Sequence, residues 1–101
     1  MSARELFHRK VTLGHQCTEE LAVAELKVWK VPVSKDYPDG IKFSLFLVSR
    51  ALGKVLIGID NHKPKGPHLH RHEVEVDYDF KDIKGLIEDF WEMVQEEGFK
   101  L

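Results

Sequence analysis

Along most of this chain, apolar and polar residues alternate with a period of two, and only near the end does the period lengthen to three and four. Arg4 to Leu13 mixes apolar and charged positions and reads as an edge strand. The next strand is expected over Ala22–Val31, where the β-branched run VWKVPV and its proline favour extended backbone. A helical reading of TEELAVAELKVW competes with it, because Thr18 and Glu20 resemble a loose helix start. KDYPDG is a turn, with Pro38 at its second position and Asp39-Gly40 after it. Ile41 to Arg50 then sets Ile41, Phe43, Leu45 and Leu47 on one face and Lys42, Ser44, Phe46 and Val48 on the other, as in a central strand partly covered on both sides. Ala51–Lys54 makes a tight connection into a strand over Lys54–Asp60, giving a hairpin.

After the loop NHKPKGP the alternation resumes. His68, His70, His72, Val74, Val76, Tyr78 and Phe80 share one face, and Leu69, Arg71, Glu73, Glu75, Asp77 and Asp79 share the other. This reads as one strand from His68 to Phe80, with an acidic solvent face and an inward face whose first half is imidazole. Asp79 to Gly98 is the clearest helix: Asp79 can cap it, Asp82 suits its first turn, and Gly98 suits its stop. Ile83, Leu86, Ile87, Phe90, Trp91 and Val94 recur at helical steps. The expected fold is α+β, an antiparallel β-meander of four to five strands with one C-terminal helix packed on a sheet face.

Length and composition fit a single domain over residues 1–101. A 43% hydrophobic and 32% charged content does not suggest disorder. The formal net charge of −2 speaks against a non-specific nucleic-acid binder but leaves room for a local basic patch. The single Cys17 can form no disulfide within the chain, and its simplest reading is a small, partly buried hydrophobe. The charged start of the chain and the lack of a membrane-length apolar run point to a soluble, cytoplasmic protein without membrane contact. A solvent-facing edge of the meander leaves room for a homodimer, although no residue demands one.

Four of the six histidines lie in DNHKPKGPHLHRH: His62, His68, His70 and His72. Strand neighbours two residues apart are about 6.5–7 Å apart, and those four apart about 13 Å. Zinc is bound by imidazole at about 2 Å, so one ion can be held by two of the alternating histidines but hardly by all three. A third ligand for zinc or another divalent metal would come from His62, Asp60, His8, His15 or Cys17; the set His68, His70 and His62 is the metal alternative. The second reading is acid–base chemistry. Imidazoles titrate near neutrality, and a pair flanking a phosphate can take a proton from the attacking hydroxyl and give one to the leaving oxygen. Lys63, Lys65 or Arg71 would supply charge to that phosphate. Asp60, brought near the histidines by antiparallel pairing, can orient an imidazole. The third reading is that these are surface or packing histidines, yet burying them without partners costs on the order of 1–3 kcal/mol each. They must therefore sit in a polar groove, where the strand projects past the helix.

IGIDNHKPKGPHLHRH, followed by an alternating strand and FKDIKGLIEDFWEMV, resembles the TumE-type toxins of prokaryotic toxin–antitoxin modules over about Lys54–Val94. The residues carrying the resemblance are Asp60, Asn61, Pro67, His68, His70 and His72. It implies a toxin whose partner is a helix-turn-helix antitoxin encoded beside it. With the histidines, it leads to the expectation of a small ribonuclease that needs no metal, with RNA as substrate. His68 and His70 are the expected acid–base pair, His72 and Asp60 orient them, and Asn61 holds the loop. A metal-dependent hydrolase or metal-binding module is one alternative. A non-catalytic module whose C-terminal helix docks a protein is another.

Overall fold

The register of the sheet fixes which residues meet the helix. The computed structural model describes residues 3–100. It contains β1 (Arg4–His15), β2 (Leu21–Lys30), β3 (Ile41–Ser49), β4 (Val55–Asp60), β5 (His68–Arg71), β6 (Val74–Asp77), α1 (Ile83–Glu96) and β7 (Phe99–Lys100). These strands form one antiparallel sheet in the order β6-β5-β4-β3-β2-β1-β7. The fold is α+β with the helix on a sheet face, as expected, but the sheet has seven strands where four to five were expected.

The turn and hairpin signals hold. The Gly40 amide donates to the Tyr37 carbonyl at 2.9 Å, closing the turn around Pro38 and Asp39. An added Cβ at Gly40, where φ is +67°, would meet the Val31 carbonyl at 3.0 Å. Leu21 to Lys30 is a strand throughout, so the helical alternative for this segment is set aside. Its even-numbered residues Ala22, Ala24, Leu26 and Val28 are fully buried beside Phe43, Leu45 and Leu47 of β3 and Ile57 and Ile59 of β4. Leu86, Phe90 and Val94 of α1 close this core from above. Full burial of each large apolar side chain contributes about 1.5–3 kcal/mol relative to exposure.

The helix begins at Ile83, capped by Asp82, whose Oδ1 accepts from the Gly85 amide at 2.7 Å; Asp79 is not the cap. Between β6 and the helix, Tyr78 donates to Asp89 Oδ2 at 2.6 Å, and burial, then this bond, push its hydroxyl pKa up. Gly98, at φ +92°, ends the helix as expected. Phe99 and Lys100 then pair with His15 and Gly14 at the far side of the sheet from β6. No helix among the described residues is long and apolar enough to cross a membrane.

The expected single strand from His68 to Phe80 is a hairpin. Arg71 pairs with Val74, so His72 and Glu73 form a two-residue loop with φ of +51° and +66°. Positive φ at both central residues defines the primed turn that suits hairpin twist, and it normally takes Asn-Gly or Asp-Gly. His-Glu carries no such signature, which is why alternation alone ran through the bend.

The faces differ as well. Ile57 and Ile59 point into the core, and their partners Arg71 and Leu69 share that side. His68 and His70 therefore lie on the helix-free face and not on the inward one. A single-residue offset in parity moves a whole set of side chains to the other face.

Two substitutions test the strained loop. Glu73→Gly should raise stability by about 0.5–1 kcal/mol, and Glu73→Val should lower it by about 1 kcal/mol or more, read as shifts of the urea midpoint.

Candidate functional site

Pairing of β4 with β5 sets Asp60 opposite His68 and Gly58 opposite His70. Both histidines project from the helix-free face, with His70 exposed and His68 only 17% exposed at its side chain. His68 Nδ1 lies 2.9 Å from the Gly66 carbonyl, an acceptor, so this nitrogen carries a proton. His68 Nε2 lies 2.7 Å from Asp60 Oδ1 and 3.5 Å from Glu75 Oε1. The Asp60 contact is a close charge approach and not a directed hydrogen bond, because Oδ1 is buried with no donor aimed at it. An imidazolium at His68 would satisfy the carbonyl on one side and the carboxylates on the other.

Glu75 is the residue that alternation misassigned. In a straight strand it would face away from the histidines. The two-residue loop instead pairs His70 with Glu75 and His68 with Asp77, odd against even, and cross-strand partners share a face. Lys65 Nζ donates to Glu75 Oε1 at 2.8 Å and Oε2 at 3.0 Å. This hydrogen bond foremost, followed by the charges of Lys65, His68 and His70, holds the Glu75 carboxyl below its ordinary range. No sequence signal pointed to Glu75, since only the turn brings it back.

Asn61 is buried, and its role is architectural. Its Oδ1 accepts from the Phe43 amide at 2.9 Å and its Nδ2 donates to the Ile41 carbonyl at 2.8 Å. The side-chain amide thus continues the β3–β4 ladder past the end of β4 and fixes where the loop departs. Gly58, between His70 and Phe46 in the cross-strand row, leaves room for the Phe46 ring: an added Cβ would lie 2.5 Å from it. A half-buried aromatic face therefore floors the sheet beside His70.

The remaining candidates separate. His72 sits in the hairpin loop, its Nε2 2.7 Å from Glu97 Oε2 at the helix end. Arg71 is on the helix side, donating from Nη1 to Glu96 Oε1 at 2.8 Å and from Nε and Nη2 to Glu97 Oε2 at 2.9 and 2.7 Å. Lys63 and His62 are exposed in the loop and, with Asp60, Pro64, Lys65 and His68, line a cleft of about 370 Å³. Lys65, His68, Glu75, Val76 and Asp77 line an adjoining cleft of about 490 Å³. His68 is thus the wall between two shallow clefts. His8 is bound to Glu25 Oε2 at 2.9 Å on β1, His15 packs edge-on against Phe99, and Cys17 is exposed, so none of them joins the site. Among the described residues, no group of three or more His, Cys, Asp or Glu side chains is arranged to hold a metal ion. The alternative set of His62, His68 and His70 is not assembled as a ligand shell.

The arrangement offers two imidazoles on an open surface, carried by strand positions about 6.5–7 Å apart, one braced by a carbonyl and a carboxylate and one exposed. That combination can move protons in opposite directions at a group placed between them.

A family model described as Toxin TumE matches residues 3–97, well beyond the stretch from Lys54 to Val94 that carried the resemblance. No curated protein and no solved structure matches the chain.

Two measurements follow from this geometry. Asn61→Ala strands a buried amide and a partly buried carbonyl and should cost about 2–6 kcal/mol in urea unfolding, on the basis of about 1–3 kcal/mol for each orphaned group. Lys65→Met should raise the Glu75 pKa toward the ordinary carboxylate value in a carbon-13 NMR titration. Because the folded-state value is depressed, the Lys65–Glu75 contribution to stability is present above the unfolded carboxylate pKa and is lost as pH falls through the folded one. That loss on acidification should be smaller in Lys65→Met.

Proposed function

The chain belongs to the TumE toxin family, and from that premise we propose that it acts as a ribonuclease using His68 and His70. The observation that carries this reading is the pair of imidazoles side by side on the helix-free face, with His68 Nε2 2.7 Å from Asp60. Its Nδ1 is taken by the Gly66 carbonyl, so a substrate would be served by Nε2, which it would share with Asp60. Held between the Gly66 carbonyl and the Asp60 carboxylate, His68 is the ring we assign the role of acid. His70 is exposed and suits the base.

In this scheme His70 accepts the proton of an RNA 2′-hydroxyl, and the 2′-oxygen attacks the adjacent phosphorus. His68 gives its Nε2 proton to the departing 5′-oxygen as the P–O bond breaks. The 2′-hydroxyl is an internal nucleophile, which is why RNA and not DNA fits two imidazoles alone. Lys63, exposed at the rim of the cleft, is the cation best placed for the phosphate, with Lys65 beside it held by Glu75. Asp60, Glu75 and Asp77 on the same face oppose a polyanion, so affinity for RNA is expected to be weak and turnover to rest on proton transfer. His72 and Arg71 contribute by fixing the hairpin to the helix end, and Asn61 by fixing the loop. The partner we infer is a helix-turn-helix antitoxin, acting with the toxin in the cytoplasm.

Purified protein should cleave a fluorogenic RNA in the presence of EDTA. His68→Ala and His70→Ala should each lower kcat by about 10²–10⁴ while circular dichroism stays unchanged. Cleavage that survives the double substitution would sink the histidine mechanism, and cleavage abolished by chelation would move the chemistry to a metal.

A further inference from the structure

The long first strand is incompletely paired. β1 runs from Arg4 to His15, with β2 along one side, whereas β7 covers only Gly14 and His15 on the other. The His15 amide donates to the Glu20 carbonyl on the β2 side, and the Gln16 amide donates to the Gly98 carbonyl on the outer side. Alternating outward from these two bonds, the backbones of His8, Lys10 and Thr12 point away from β2. Among the described residues, nothing pairs with them.

The edge has a chemical character as well as free donors and acceptors. β1 carries Arg4, Arg9 and Lys10 against Glu5, a net charge of +2 in a chain whose total is −2. His8 and Lys10 lie on the helix-free face, where Glu25 is already hydrogen-bonded to His8 and close to Lys27, and Glu5 lies 3.9 Å from the other nitrogen of His8. Phe7 and Val11 lie half-buried on the helix side, packed against the core. The opposite edge of the sheet, β6, carries Glu75 and Asp77 and has the reverse sign.

We infer that the free edge of β1 is a docking site for an extended, acidic protein segment that adds to the sheet as a further strand. Its backbone would bond to His8, Lys10 and Thr12. Its acidic side chains would lie beside His8 and Lys10, and its alternate apolar side chains beside Phe7 and Val11. Main-chain pairing supplies the affinity in such strand addition, and the alternating side chains supply the choice of partner. The inference rests on the toxin reading only in naming the antitoxin as the natural source of the segment. A second copy of this chain is a poorer occupant, since β1 against β1 opposes cation to cation near the strand centre. Single-stranded RNA would answer the charge but not the row of backbone donors and acceptors.

The test uses the full chain and a fluorescein-labelled synthetic peptide of alternating glutamate and valine. Saturable binding is expected, weakened about ten-fold by Lys10→Glu, and lost when alternate peptide amides are N-methylated, because methylation removes ladder donors and leaves the side chains intact. A lysine–valine peptide should not bind. Equal binding of the N-methylated peptide, or binding indifferent to Lys10→Glu in a protein with unchanged circular dichroism, overturns the inference. So does a dimer in sedimentation that Lys10→Glu dissociates, which would give the edge to a second copy, or displacement of the peptide by oligouridylate, which would give it to RNA. RNA cleavage measured on the same preparation keeps the two readings apart, since peptide binding and cleavage can each fail while the other stands.

Discussion

The antiparallel pairing of β4 with β5 sets Asp60 against His68 on one face of the sheet and Ile57 against Arg71 on the other. Every feature of the candidate site depends on that register. A slip by one residue would bring Leu69 and Arg71 onto the open surface and drive His68 and His70 into a core of Ile57, Ile59 and Phe90. The cost of burying two imidazoles among aliphatic side chains, on the order of 1–3 kcal/mol each without partners, opposes such a slip. The hydrophobic demand of Leu69 works in the same direction.

Arg71 turns this register into a rigid tie between sheet and helix. It leaves the core face beyond the apolar layer and reaches the last turn of α1, where Glu96 and Glu97 accept from its guanidinium and His72 joins Glu97. Hydrogen bonding to Glu96 foremost raises the Arg71 pKa still further above its ordinary value, so the tie stays charged across the working range of the protein. These carboxylates at the helix C-terminus oppose the helix dipole on their own, and the arginine and histidine offset that repulsion. A cation that looked like a phosphate ligand in the sequence therefore serves the scaffold, and its position holds the strained His72-Glu73 loop in place. The same tie keeps β6, with Glu75 and Asp77, against the histidine strand.

The two faces of the sheet have divided their tasks. The helix face carries the apolar side chains that stabilise the domain, while the open face carries polar and ionisable groups in cross-strand rows, from His8 on β1 through Lys27, Ser44 and Asp60 to His68. Side chains on the open face shade one another enough to be half-buried without a covering layer. Ionisable groups there reach solvent without any opening of the core.

The first four strands, the turns at KDYPDG and Ala51–Lys54, and the apolar stripe of the helix were legible because periodicity and turn chemistry are local properties. Asp60, Asn61, His68 and His70 could be singled out for the same reason, as could the nearness of Asp60 to the histidines, which follows from antiparallel pairing of adjacent strands. The hairpin at His72-Glu73 was not legible: its φ values are imposed by pairing and by Glu97, and neither residue type announces them. With the hairpin unseen, Glu75 stood on the wrong side, and the histidines were placed on the inward face, in a groove past the helix, instead of on the open face. The sequence by itself determined which ionisable residues cluster between Asp60 and His70 and which segments alternate. Only the tertiary structure decided which face they occupy and who stands beside them, because face and neighbour are set by register between strands and not by order along one.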